Sequence, residues 1–261
     1  MLSIVPAYNE AGRIVRALRI LRASGADPVI VIANGCRDGT EWRVRSFGDP
    51  RVEVLVWPHP LGIDIPRAVG AAVALAREVP HALWYDGDWI GDVRHELRPF
   101  IRKVEHFDVD LALWDLGVDQ FPDPALNHLW NKLKKSLPFG NRLEGVHPSL
   151  GPVALSARLL RAVPLSDVAK PPTLLAHAAR LGLRVEVLAR CPLARLASAH
   201  RVNGHRRAVL EAVTGDTMEA LCILNNRPRT RQFAGNLYIG AHRERRWDHL
   251  ATLVQFIRGG A

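Results

Sequence analysis

The sequence predicts an α/β fold, a mostly parallel central sheet flanked by helices, followed by a helical C-terminal extension. Three observations predict it. Short β-branched runs alternate with helical spacing through the first hundred residues, a polar cluster follows each of the first four runs, and the tail from Asn203 is helical and arginine-rich. Alternating units of this length indicate parallel strands with helices on both faces. In such sheets ligands sit beyond the carboxyl ends of the strands, where the polar clusters fall.

Residues 2–5 form the first apolar run, and residues 11–23 carry helical spacing through Ile14, Leu18 and Leu21. Residues 29–33 are a β-branched second strand, followed by a Gly/Asp turn and a short helix near 41–47. Residues 52–57 read as a third strand and 66–77 as an alanine-rich helix with Pro66 in its first turn. A fourth strand at 82–85 ends in Asp86-Gly87-Asp88. The second half is less regular. A strand is expected at 109–114, an amphipathic helix at 125–137, a loop at 145–151, helices at 157–163 and 173–181, and a strand at 185–189. The helical tail breaks near 225–228. The expected organisation is residues 1–200 as one domain, split into a ligand-binding half (1–100) and a second half (101–200), with 201–261 as the extension.

A chain of 261 residues that is 48% hydrophobic can bury one substantial core. Its apolar runs stop well short of the roughly 18 residues a membrane-spanning helix requires, and residues 1–6 lack the features of a signal peptide. The expected location is therefore the cytoplasm. Cys36, Cys191 and Cys222 are odd in number and far apart, which supports neither a disulfide framework nor a zinc site. The net charge is +9, carried mostly by scattered arginines without aromatic interleaving. That pattern suits phosphate-bearing small molecules better than nucleic acid.

Four clusters can carry chemistry. Pro6-Ala7-Tyr8-Asn9-Glu10 follows the first strand, where a ring can stack on a base while amide and carboxylate take hydrogen bonds. The same residues also suit a plain helix start, with Asn9 as cap. Asn34-Gly35-Cys36-Arg37-Asp38-Gly39-Thr40 follows the second strand and reads as a turn and cap on its own. Arg67, beside a helix N-terminus, is placed either to meet a diphosphate or to lie in solvent. Asp86 and Asp88 at a sheet mouth repel one another unless a cation is present, and hard divalent ions prefer such oxygens. Asp-Gly is also a common turn, and Asp92 reads as a helix cap.

Together, in this order and spacing over residues 1–100, the clusters resemble glycosyltransferase family 2. Pro6 to Glu10 matches the opening motif, Asn34 to Thr40 the second motif, and Asp86-Gly87-Asp88 the metal-binding DxD. The resemblance implies a Rossmann-like GT-A fold and transfer of a sugar from a UDP- or GDP-sugar to a small, phosphorylated or acidic acceptor. It implies that Pro6, Tyr8, Glu10 and Asn34 hold the nucleoside, that Arg67 faces the diphosphate, and that Asp88 ligates Mn²⁺ or Mg²⁺ while Asp86 and Gly87 complete the motif at ribose or metal.

A narrower likeness is to the glucosyl-3-phosphoglycerate synthases. Val146-His147-Pro148-Ser149-Leu150-Gly151-Pro152, followed by residues 157–164, resembles their acceptor loop, and Ala199-His200-Arg201 stands where that family places a metal-binding histidine. His200 is thus implied as a metal ligand. The departures are specific: Ala33 replaces the usual aspartate, Ile63-Asp64 replaces a Gly-Lys pair, and Pro152 replaces a glutamate. Where inverting members carry a catalytic base, this chain has Lys170-Pro171-Pro172, leaving Asp167 as the nearest candidate base. That pattern favours a retaining enzyme or a non-catalytic nucleotide-sugar-binding relative. The basic helix at 126–137 packs either on the sheet or on a membrane surface, and a homodimer is left open.

Overall fold

The computed structural model describes residues 1–197 and 203–259. Seven strands form one sheet: β1 (Leu2–Ala7), β2 (Val29–Asn34), β3 (Val52–Trp57), β4 (His81–Trp84), β5 (Leu111–Asp115), β6 (Val153–Ser156) and β7 (Val185–Arg190), in the order β3-β2-β1-β4-β6-β5-β7. Strands β3, β2, β1 and β4 run parallel, as do β5 and β7, while β6 is antiparallel to both neighbours. The first four strands and the helices between them lie where the hydrophobic periodicity puts them, within a few residues at the ends, while the helix at 94–107 was not expected. The reversal at β6 is a feature that periodicity did not predict.

Helices cover both faces. On one lie α1 (Ile14–Ala23), α2 (Thr40–Arg45) and α4 (Arg94–Phe107); on the other α3 (Ile65–Ala76), α5 (Pro124–Ser136) and α8 (Pro171–Arg180). Short helices α6 (Ala157–Ala162) and α7 (Leu165–Val168) connect β6 to α8. Alternation along each strand sends side chains to opposite faces. Ile4, Ile32, Trp84 and Leu113 therefore enter the core beneath α3, α5 and α8, and Val5, Val31, Leu83 and Trp114 the core beneath α1 and α4. α4 is held by Leu97, Phe100, Ile101 and Val104, a helical stripe running past Pro99. Its N-cap is Val93; Asp92, expected as the cap, sits one residue earlier and accepts from the Arg94 amide at 3.3 Å.

α5 buries Leu126, Leu129, Trp130 and Leu133, so its apolar face packs inward and its lysines remain outside. The tail comprises α9 (Asn203–Leu224), a small hairpin of β8 (Gln232–Phe233) and β9 (Asn236–Leu237), and α10 (Trp247–Gly259). Ala220, Leu221 and Ile223 of α9 and Leu250, Leu253 and Ile257 of α10 join the same core as α3 and α8. Among the described residues, no helix is long and apolar enough to cross a membrane.

Candidate active site at the carboxyl end of the sheet

The loops after β1 and β2 are tied to each other. Asn9 takes a left-handed φ of 57°, which lets its Oδ1 accept from the Arg37 amide at 2.8 Å while its own N–H reaches Cys36 Sγ at 3.4 Å. The Ala11 amide donates to Asp38 Oδ2 at 2.9 Å, and the Glu10 amide to Thr40 Oγ1 at 2.7 Å. Asn9 thus bridges two loops where a helix cap was the plainer expectation. Tyr8 is 38% exposed, whereas Glu10 is 1% exposed, its carboxylate accepting from Arg13 Nε at 2.6 Å. Asn34 is also buried, and its Oδ1 accepts from the Leu61 amide at 2.5 Å, joining the end of β2 to the loop before α3.

The Asp86-Gly87-Asp88 turn follows β4 directly. The Gly87 amide donates to the Pro6 carbonyl at 3.0 Å, tying the turn to the end of β1, and the Tyr85 hydroxyl donates to the Trp89 carbonyl at 3.2 Å. Arg67, expected to face a diphosphate, has its guanidinium buried in the protein: Nη2 donates to both oxygens of Asp86 at 2.9 Å, and Nε lies 3.3 Å from Asp64 Oδ1. Burial pushes the Asp86 carboxyl up to about 6, with Asp88 and Asp64 adding to the rise and Arg67 opposing it.

The Asp88 charge thus bears on Asp86, and both carboxylates remain partly open to solvent. Two hard oxygen donors in that relation fit a divalent cation. A second acidic group, Asp216, Glu219 and His242, also has metal-like spacing. There Arg231 and Arg245 bind Asp216, and Arg231 and Lys170 bind Glu219, so its charge is already compensated by cations of the chain.

The second half of the chain reaches the same sheet end. Because β6 is antiparallel to β4, its first residue, Val153, stands opposite Trp84, the last of β4. The loop before β6, with His147 and Pro148, is thereby delivered beside the DxD turn. The Leu116 amide donates to the Gly145 carbonyl at 2.9 Å, and the Cys191 amide to the Asp115 carbonyl at 2.9 Å. The chain then crosses to the DxD side, where the Gly91 amide donates to the Leu196 carbonyl at 3.0 Å. His200, expected as a metal ligand, lies outside the described residues. His147 is buried against Trp130 and Phe121, and its Nδ1 accepts from the Ser149 amide at 3.2 Å. Burial, with Lys134 nearby, lowers its pKa to about 3, so the ring is neutral.

Asp167 is the candidate base that the sequence offers. It is fully buried on α7 and receives Arg229 on both oxygens at 2.6 Å, His177 at 2.7 Å and Lys170 at 3.0 Å. These partners hold it far below the usual carboxylate range despite burial. A base needs an accessible lone pair and a pKa near the working pH, and Asp167 has neither. Sequence spacing missed this cluster because His177 lies on α8 and Arg229 in the segment after α9.

Comparison with protein-family models and with the sequences of curated proteins finds no match. Solved structures do match. Mannosyl-3-phosphoglycerate synthase from Rubrobacter xylanophilus is 15% identical, with 90% of this chain and 77% of that one covered and a TM-score of 0.59. Glucosyl-3-phosphoglycerate synthase from Mycobacterium tuberculosis, solved with phosphoglyceric acid, is 19% identical over 87% of this chain and 80% of that one, with a TM-score of 0.52. A further mycobacterial protein is 20% identical over 87% of this chain and 75% of that one, at a TM-score of 0.59. The chain has the Rossmann-like GT-A fold of these structures.

Proposed function

We propose that this chain transfers a sugar from a nucleoside diphosphate donor to a small acidic or phosphorylated acceptor, with Mn²⁺ or Mg²⁺ bound at the DxD turn. The observation that carries the reading is the Asp86/Asp88 pair at the carboxyl end of β4, tied by Gly87 to the β1 loop that presents Tyr8. That is the place where an open α/β sheet binds its ligand. The likeness in fold to glucosyl- and mannosyl-3-phosphoglycerate synthases supports a hexose donor and an acceptor of the phosphoglycerate kind.

In this reading Tyr8 stacks on the base and Asp88, aided by Asp86 and by His200, holds the cation. When bound, the ion would supply neutralisation of the charge that builds on the departing diphosphate. Arg67 acts on the donor through Asp86, whose carboxylate it orients. The loop before β6 shapes the acceptor side. With Asp167 enclosed by cations, the reading takes no base from it and favours transfer with retention. The same enclosure is what favours the second reading, a nucleotide-sugar-binding relative that does not catalyse.

Calorimetric titration of UDP, GDP and their sugar conjugates, with and without Mn²⁺, tests this. Wild type binds one of them in a Mn²⁺-dependent manner and Asp88→Ala loses that binding at least tenfold. Absence of binding to all of them would remove the proposal, and binding without turnover over a panel of phosphorylated acceptors would leave the second reading.

A further inference from the structure

A line of buried ion pairs leads from the DxD turn to the C-terminal tail. Asp86 is held by Arg67, and Arg67 by Asp64. Asp64 is reached in turn by Arg245, whose Nη2 lies 3.4 Å from Asp64 Oδ2 and 2.7 Å from Asp216 Oδ2. Arg245 Nη1 donates to Asp216 Oδ1 at 2.8 Å, and its side chain has no exposed surface. From Asp216 the line runs on through Arg231, Glu219 and Lys170 to Asp167. The backbone follows the same route. The Arg246 amide donates to the Leu61 carbonyl at 2.9 Å and Arg245 Nε to the Ile63 carbonyl at 3.3 Å. At Gly62, with φ of 84°, a Cβ would lie 2.3 Å from the Glu244 carbonyl oxygen, so the tail occupies the space a side chain would fill.

We propose that Arg245 is a positioning residue of the donor site. It fixes Asp64, which lets Arg67 give its Nη2 to Asp86, and so sets the carboxylate that flanks Asp88. The guanidinium does this because its planar fork spans two carboxylates at once, which a lysine ammonium does not. Asp64 stands at the N-cap position of α3 with a left-handed φ of 58° and no capping hydrogen bond from its side chain, a backbone conformation asparagine tolerates equally well. Asp64→Asn therefore keeps this backbone and the Arg245–Asp216 pair while removing the charge between Arg245 and Arg67. The role of the site rests on the proposed function; the anchoring of Asp64 and Arg67 does not.

The test compares Asp64→Asn and Arg245→Lys with Arg229→Gln, a change at the far end of the same line. Two readouts are taken: amide hydrogen exchange over residues 61–68, and Mn²⁺ uptake followed by the free-ion spin-resonance signal. Both Asp64→Asn and Arg245→Lys accelerate exchange over 61–68 at least tenfold and raise the Mn²⁺ midpoint about five- to tenfold, within the usual range of coupling between sites. Arg229→Gln lowers the melting temperature and moves neither readout. Unchanged exchange in Asp64→Asn, or an equal Mn²⁺ shift in Arg229→Gln, would overturn the proposal. If wild type takes up no Mn²⁺, the donor-site reading fails and the exchange result alone decides whether Arg245 anchors the turn.

Discussion

Asp86, two residues before Asp88, takes both of its carboxylate oxygens to the buried guanidinium of Arg67. Removing one partner of a buried pair costs more than the pair contributes, since the remaining charge is left in a poor solvent. Asp86→Ala leaves Arg67 with Asp64 alone, and the expected loss is about 2–3 kcal/mol of unfolding free energy. Urea denaturation of wild type and Asp86→Ala checks the loss. A variant as stable as wild type would mean that Arg67 does not depend on Asp86.

At the scale of elements, the site is made by loops that touch where side chains are missing. A Cβ on Gly91 would lie 1.6 Å from the Arg195 carbonyl oxygen, which places the turn Leu193–Leu196 directly on the loop after the DxD. Gly91→Ala must push that turn away, and overpacking of this kind costs about 1–3 kcal/mol. Chemical denaturation reads the loss, and faster proteolysis after Arg195 would locate it; a variant as stable as wild type would show that the contact yields without cost. Ala197 is the last described residue before the segment that carries His200.

Much of this level was legible in the sequence. The first four strands and their polar loops follow from alternation and turn residues, and the DxD turn falls where the pattern put it. α4 was not read because Pro99 and eight charged or histidine neighbours disguise a stripe of only four buried apolar positions. β6 was not read because four residues between Gly151-Pro152 and a helix carry no period that can be counted. The roles of Arg67, Asn34 and Asp167 were illegible for another reason. Each has a partner distant along the chain, Asp86 for Arg67, Leu61 for Asn34 and Arg229 for Asp167, and no local pattern encodes pairing at that separation.

Among the described residues the molecule carries a mostly buried ionic line and two histidines, buried His147 and half-buried His242, that are held neutral, and these set how its stability responds to acid. Burial lowers His147 to about 3 and His242 to about 4; Lys134 adds to the first, Arg231 and Arg245 to the second, while Asp216 opposes both. In the unfolded chain both rings take a proton near pH 6.5. Between that value and their folded values the unfolded state holds protons that the native state refuses, so stability falls as pH falls. Asp86 works in the opposite sense: raised to about 6, it keeps a proton in the native state that the unfolded chain releases, which favours folding as pH drops from about 6 towards 4. At 1.4 kcal/mol per pH unit for each group, two histidines outweigh one carboxyl, and the net loss between pH 6.5 and 5 is about 2 kcal/mol. Below about pH 4 the loss steepens, because Asp167, Asp110 and Asp216 are all held below the usual carboxylate range and give up their pairs on protonation. Urea denaturation at pH 6.5 and 5 measures the first limb. His147→Gln removes one titrating ring, so its loss over that interval is smaller than that of wild type by about 2 kcal/mol even though its stability at pH 7 is lower. An equal loss in the two proteins would mean that His147 is protonated in the native state and that its burial against Trp130 is not what the acid limb reports.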